Sequence, residues 1–329
     1  MKSILGVGNA LTDILATIHG DAFLEEHNLP KGSMQHVDAE VGNKLWNILK
    51  DRGIKYVAGG SAANTISACS IFGMRCGFIG KVGKDDLGSM YKSEQIQSNI
   101  NSMLMRGKNP SGRSIVMIDD NTKERTFAVY LGAALELGPD DLKEEDFKGY
   151  DILHLEGYLV QNQDLFRRAV EIGKSLGMVI SVDLASYNVV ESNLTFLNDI
   201  VKNYINILFA NEAEAKAFTG KQPSEALDVL ASMVDIAVVK VGKEGSMVRN
   251  GNIYHFIEPA PAVAVDTTGA GDLYAAGFLY GYANGAPLDI CGEIGSIISS
   301  KVVEVVGAKV DIQRWKVAKR EIREITNFE

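Results

Sequence analysis

Apolar positions along this chain follow two rhythms, short unbroken runs and longer stretches at helical spacing. Ile4 to Gly8 reads as a short buried strand. Segments 13–20 and 32–38 read as partly polar strands around a turn at Pro30-Lys31-Gly32. Residues 39–51 carry Val41, Leu45, Ile48 and Leu49 at helical spacing, and 61–72 predicts a small-residue helix behind Gly59-Gly60. A strand over 76–82 and a helix over about 85–98 follow. Two β-type runs, GRSIVMIDD and KERTFAVYL, flank Asp120-Asn121-Thr122, which is a hairpin signal. Beyond residue 150 strands are expected at 151–155, 178–183, 205–210 and 235–241, with helices at 162–176, 211–219 and 223–232. A hairpin at 245–257 turns at Asn250-Gly251-Asn252, and two closing helices span about 270–284 and 287–305.

Strands alternating with helices predict an α/β fold with a mainly parallel central sheet covered by helices on both faces. Segments 13–38 and 112–131 interrupt the alternation. They are expected to form a small β-sheet lid over the carboxyl edge of the main sheet, where open α/β sheets bind ligands. The chain, 1–329, then reads as one domain with two lid inserts.

Composition narrows the picture. Apolar residues make up 46% of 329, enough for a core and against a disordered chain. Glycine, at 33 residues, is about 10% of the chain against a usual ~7%. Lys and Arg number 33 against 42 Asp and Glu, a net charge of −9 that argues against a nucleic-acid partner. Cys69, Cys76 and Cys291 form no CxxC pair, so neither a disulfide framework nor a zinc site is expected, and a reducing cytoplasm fits. Asn9 and Asp13 break the N-terminal apolar run, which otherwise has only Lys2 as a basic flank, so it reads as no signal peptide. No apolar run approaches ~18 residues, so no membrane span is expected.

Part of the glycine excess sits in loops that carry candidate chemistry. Asp266-Thr267-Thr268-Gly269-Ala270-Gly271-Asp272 precedes a helical stretch. Small residues there let the backbone approach a ligand, and the free N–H groups of a first helical turn point at bound negative charge. Asp272 at that helix start is either a cap or a general base beside an anion site. Gly59-Gly60-Ser61 leads to Asn64 in another helix start, which reads either as a polyol contact or as a tight turn with a surface Asn. Asp13, just after the first strand, can accept from two adjacent hydroxyls or merely sit in a turn. Asn211 and Glu214 share a helix face and suit the waters of a Mg²⁺ ion beside phosphates, or a cap with a solvated charge. Lys240-Val241-Gly242-Lys243-Glu244-Gly245 ends a strand and suits a nucleotide-lining loop, or an ordinary glycine-containing hairpin. No GxxxxGK[ST] occurs, and Gly6-Val7-Gly8 lacks the third glycine of a dinucleotide fingerprint, where Leu11 stands.

Taken in order, these motifs resemble the ribokinase/PfkB family of sugar and nucleoside kinases, from GNALTDI at 8–14 to VVGAKVD at 305–311. The resemblance implies a ribokinase-like sandwich with a small β-sheet lid and transfer of the γ-phosphoryl group of ATP to a hydroxymethyl oxygen. It implies Asp272 as the base and the backbone of Gly269, Ala270 and Gly271 as the anion hole. Asp13, Gly59, Gly60 and Asn64 would hold the acceptor, while Asn211, Lys240, Gly242, Gly245 and Thr267 would line ATP. Glu214 would reach Mg²⁺ through water. Asp266 and the segment Val306-Gly307-Ala308 match where a monovalent cation such as K⁺ would lie.

Ser61 stands where ribokinases have Lys, and GGSAANT, GNALTDI and ERTFAVYLGAALEL are closer to adenosine-kinase-like members. Nucleoside or ribosyl acceptors are therefore preferred, with a hexose or ketose as the alternative. Met34, Met117 and Phe127 are candidate platforms for a base, or simply lid packing. Arg125 either approaches phosphate or pairs with a neighbour such as Glu124. A non-catalytic sugar or nucleotide sensor on the same fold would be expected to have lost Asp272. Either a monomer or a homodimer is compatible with the sequence.

Overall fold

The computed structural model describes residues 2–50, 54–122, 124–326 and 328. Asp51, the expected end of the 39–51 helix, and Lys123 of the second hairpin run lie outside them. Among the described residues the main sheet has nine strands. Their order is Ile253–Ile257, Ser246–Asn250, Ile236–Lys240, Ile207–Asn211, Val179–Asp183, Ile152–Glu156, Ile4–Val7, Cys76–Val82 and Ile100–Arg106. All pair in parallel except the first two, which close one edge as an antiparallel hairpin.

Side chains of one strand alternate between the sheet's two faces. Ile207 and Phe209 join one buried cluster, while Leu208 and Ala210 join the other. Helices Ser61–Ile71, Ala270–Ala283, Leu288–Val302 and Ile312–Ile325 cover the first face through Ile66, Phe278, Ile298 and Trp315. Helices Gln163–Ser175, Leu194–Tyr204, Glu212–Thr219 and Pro223–Ala231 cover the second through Phe166, Leu197, Phe218 and Leu227. The chain belongs to the α/β class read from its pattern. Cys69, Cys76 and Cys291 are buried and unbridged. Among the described residues no helix is long and apolar enough to cross a membrane.

A second sheet of five strands runs Met34–His36, Arg125–Tyr130, Gly112–Asp119, Leu11–Ile18 and Lys55–Gly59. Its register sorts residues cleanly between two faces. Ala16 pairs with Met117 and Met117 with Thr126, so these point one way, with Ile14 and Ile115, onto Leu45 and Leu49 of helix Ala39–Leu49. Asp13 pairs with Ser114, Ser114 with Val129 and Val129 with His36. Met34 pairs with Phe127, and this second set faces the carboxyl ends of the main sheet.

The elements depart from the sequence reading at several points. The edge strand Ile100–Arg106, the strand Lys55–Gly59, helices Tyr187–Ser192 and Leu194–Tyr204, and the last helix Ile312–Ile325 were not expected. Segments 13–20 and 32–38 hold strands Leu11–Ile18 and Met34–His36 with a short helix, Ala22–Glu26, between them.

Candidate active site

Parallel strands end together at one edge of the main sheet, which brings their terminal residues into one place. Glu156, Asp183, Asn211 and Lys240 each end a strand, with Asp183 in register with Glu156 and Asn211 with Lys240. Above them lies a cleft of about 1130 Å³, roofed by the cavity face of the small sheet. Two helix starts meet in its wall. Gly269 caps helix Ala270–Ala283 at φ +77°, and an added Cβ would lie 2.7 Å from Ala308 Cβ. Gly60 precedes helix Ser61–Ile71 at φ +101°, where a Cβ would run into the Asn9 carbonyl oxygen. Both positions need glycine for conformation and for space.

Asp272, in the first turn of its helix, is held by the other helix start. Ser61 Oγ donates to Oδ1 at 2.7 Å and Asn64 Nδ2 to Oδ2 at 2.9 Å. Thr65 Oγ1 donates to the Asp272 carbonyl at 3.0 Å. Burial pushes the Asp272 carboxyl up to about 6, against the restraint of the Asn64 and Ser61 hydrogen bonds. A carboxylate with that value is ionised at neutral pH yet basic enough to take a proton.

Asp13 opens onto the same cleft. Burial, then repulsion from Asp272, pushes it up to about 7, while Lys309 and the Ser114 hydroxyl pull the other way. Gly59 lies behind it, where any Cβ would strike the Asp13 carboxylate. Tyr91 fixes this turn by donating to the Gly59 carbonyl at 2.8 Å.

Glu156 was not read from the sequence. Its Oε1 accepts from the Asn9 backbone N–H at 3.0 Å and from Asn9 Nδ2 at 2.7 Å, and its Oε2 accepts from the Ala62 N–H at 2.9 Å. One buried carboxylate thus joins the end of the first strand to the start of the Ser61 helix. Burial pushes it up to about 7. Its sequence signal is an acid closing the run Ile152-Leu153-His154-Leu155 at the end of an expected strand.

Lys240 Nζ donates to Asp183 Oδ2 at 2.6 Å and stands 3.0 Å from where a Gly271 Cβ would be. A half-buried cation therefore lies directly under the first turn of the Asp272 helix. Asn211 and Glu214 form a capping box, with Asn211 donating through its N–H at 2.8 Å and Nδ2 at 2.6 Å. Glu214 is 2% exposed, so the alternative of a solvated charge is not what the fold provides. Burial, then Asp183, pushes it up to about 7. Gly242 at φ +56° and Gly245 at φ +105° turn the loop after Lys240, and Thr267 lines the cleft beside them. Among the described residues no group of three or more His, Cys, Asp or Glu could hold a metal alone. Asp183 and Glu214 suit instead a hydrated Mg²⁺ arriving on a polyphosphate, since that ion keeps waters and takes one or two carboxylates.

Asp266 lies behind the lining. Its Oδ1 accepts from Thr268 N–H at 3.0 Å and Thr268 Oγ1 at 2.8 Å, and its Oδ2 from Gly307 N–H at 2.6 Å and from Arg125. Burial would raise it, but the Arg125 guanidinium and the two backbone donors outweigh that and hold it below the usual range.

The far end of the cleft is apolar. Met34, Phe127, Val129 and Leu131 line it with His36, and Gln161, on the short 3-10 turn after the strand that ends at Glu156, also lines the cleft. Met117, expected beside Met34 and Phe127, is instead wholly buried against the Ala39–Leu49 helix, because its register places it on the opposite face.

The family model for pfkB family carbohydrate kinases matches residues 34–315, which leaves Asp13 outside the matched span. A nucleoside kinase of Methanothermobacter thermautotrophicus is 29% identical over 77% of this chain and 81% of its own. An adenosine kinase of Dictyostelium discoideum is 27% identical over 95% and 98%. The crystal structure of adenosine kinase from Sinorhizobium meliloti superposes with a TM-score of 0.87 at 30% identity, covering 97% of this chain and 99% of that one.

Proposed function

The chain belongs to the pfkB family of carbohydrate kinases, and from that premise we propose that it moves the γ-phosphoryl group of ATP to the hydroxymethyl oxygen of a nucleoside, with Asp272 as general base. That it is an ATP-dependent kinase of a small sugar or nucleoside follows from the family. One observation carries the finer reading: the Asp272 carboxylate stands in the first turn of a glycine-capped helix, lining the cleft, oriented by Ser61 and Asn64.

In this reading the acceptor's hydroxymethyl oxygen sits against Asp272, and its ring hydroxyls lie against Asp13 and Asn64 on the floor shaped by Gly59 and Gly60. Asp272 takes the proton as the oxygen forms its bond to the γ-phosphorus and the bond to the β-phosphate oxygen breaks, releasing ADP. Gly269, Ala270 and Gly271 offer backbone N–H groups to the charge that spreads over the transferring group. Lys240 supports that anion from beneath, and Gly242, Gly245, Thr267 and Asn211 line the nucleotide. Mg²⁺, when bound, neutralises the phosphates, with Glu214 reaching its waters. The segments 13–38 and 112–131 act as a lid within one domain. The nucleoside preference rests on the apolar platform of Met34, Phe127, Val129 and Leu131, because a base presents a flat apolar face that a free sugar lacks.

The test is ATP turnover with a panel of purine and pyrimidine nucleosides, pentoses, hexoses and ketoses. Nucleosides should give the highest kcat/KM. Higher kcat/KM for a hexose or ketose would replace the nucleoside reading. No turnover with any acceptor would favour a non-catalytic sensor.

A further inference from the structure

Behind the cleft's lining lies an ion pair that the phosphoryl-transfer reading does not use. Arg125 begins a strand of the small sheet, and its side chain is 9% exposed; Asp266, on the loop leading to the Asp272 helix, is 7% exposed. A carboxylate has about four lone-pair sites. In Asp266 they are filled by the Thr268 N–H, the Thr268 hydroxyl, the Gly307 N–H and the Arg125 guanidinium. Two segments far from Asp266 in sequence, at Arg125 and Gly307, therefore close on this one acid. The family resemblance placed a monovalent cation at Asp266 and Gly307. A second cation would find no free carboxylate lone pair there, and it would face the Arg125 guanidinium. The adjoining void measures about 20 Å³, room for roughly one water. Arg125 and Lys309 both line it, beside Asp13.

We propose that Arg125 fills the place at Asp266 that a monovalent cation would otherwise take, so that the chain needs no such ion and its small sheet is tethered to the anion-hole loop. Arg125 is a positioning residue in this account. It balances the Asp266 charge and sets the Thr267–Gly269 turn through Asp266 and Thr268. Because the tether joins the two sheets, its loss loosens both of its ends. The proposal rests on the kinase reading for its rate measurements but not for its structural ones.

The experiment compares the whole protein in potassium, sodium and tetramethylammonium chloride at equal ionic strength. Wild-type kcat should agree within about twofold across the salts, and its melting temperature should not respond to K⁺. Arg125→Ala should lose about tenfold or more in kcat in the tetramethylammonium salt and regain part of it in K⁺, while Arg125→Lys keeps most of its rate without K⁺. Hydrogen exchange in Arg125→Ala should quicken both in 125–130 and in 266–269. Wild-type stimulation by K⁺ of about tenfold, or a K⁺-dependent rise in its melting temperature, would overturn the proposal. So would an Arg125→Ala protein with unchanged exchange at both segments. If no salt supports phosphoryl transfer, the kinase reading has failed, and the melting and exchange measurements still decide this one.

Discussion

Replacing Ser61 with alanine removes one of the two side-chain donors that hold Asp272 ionised. The Ser61 hydroxyl lies 2.7 Å from Oδ1, and the carboxyl already stands at about 6 because of burial. A hydrogen bond to a charged group contributes about 1.5–3 kcal/mol, and one pKa unit corresponds to about 1.4 kcal/mol. Loss of the donor disfavours the anion, so the pKa rises by about one to two units. The acid limb of kcat/KM should therefore move from near pH 6 to about pH 7–8, with most of the rate recovered at pH 9. The helix start should keep its place, since Ala62 N–H still donates to Glu156. Asp13, Glu156 and Glu214 titrate nearby and are each raised by the Asp272 charge, so a more protonated Asp272 lowers them, and an acid limb that moves up reports Asp272 itself. The assay is ADP release at saturating Mg-ATP, with acceptor varied from pH 5 to 9. A limb that stays put, or a rate lost equally at every pH, would refute the reasoning.

Further outcomes follow from the same geometry. Gly60→Ala meets both a positive φ and the Asn9 carbonyl, whereas Gly73→Ala at φ +81° meets open space. Gly73→Ala should cost about 1–2 kcal/mol in urea unfolding and Gly60→Ala clearly more, and equal costs would contradict the packing argument. Asp13, Glu156 and Glu214 at about 7 and Asp272 at about 6 are raised above ordinary carboxyl values. Between about pH 4 and pH 7 the folded protein holds protons that the unfolded chain has released, so ligand-free stability should fall as pH rises through that window. Urea midpoints that rise from pH 5 to pH 8 would contradict this. Phe127→Ala should raise the nucleoside KM about tenfold, while Met117→Ala on the other face should cost about 2–5 kcal/mol of stability and leave KM unchanged. The reverse pattern would exchange the two faces.

Local chemistry was legible in the sequence wherever a residue type implies its own geometry. Gly60 and Gly269 stand at the helix starts that the glycine-rich runs suggested, and Asn211 with Glu214 has the spacing of a capping box. Relations across the chain were not legible. Glu156 finds Asn9 and Ala62 at separations of 147 and 94 residues, and no local pattern marks an acid for such partners. Arg125, expected beside Glu124 or a phosphate, pairs with Asp266 because the small sheet folds over the loop. Met117 and Phe127 looked alike as apolar hairpin residues, and only the register separates core from cleft. The strand Ile100–Arg106 was missed because an edge position leaves Asn101, Ser102 and Arg106 partly or fully exposed, blurring its apolar run. The last helix carries only Trp315, Ala318 and Ile322 as buried residues among many charges, which hides it in a polar tail.

The central claim is that Asp272 removes the acceptor's proton. Its most direct measurement is the single-turnover rate of Asp272→Asn with Mg-ATP and the best acceptor of the panel, alongside the binding affinity for each ligand. The account predicts a loss of about 10²–10⁴-fold in the chemical step with both ligands still bound. A rate within a few-fold of wild type would contradict it.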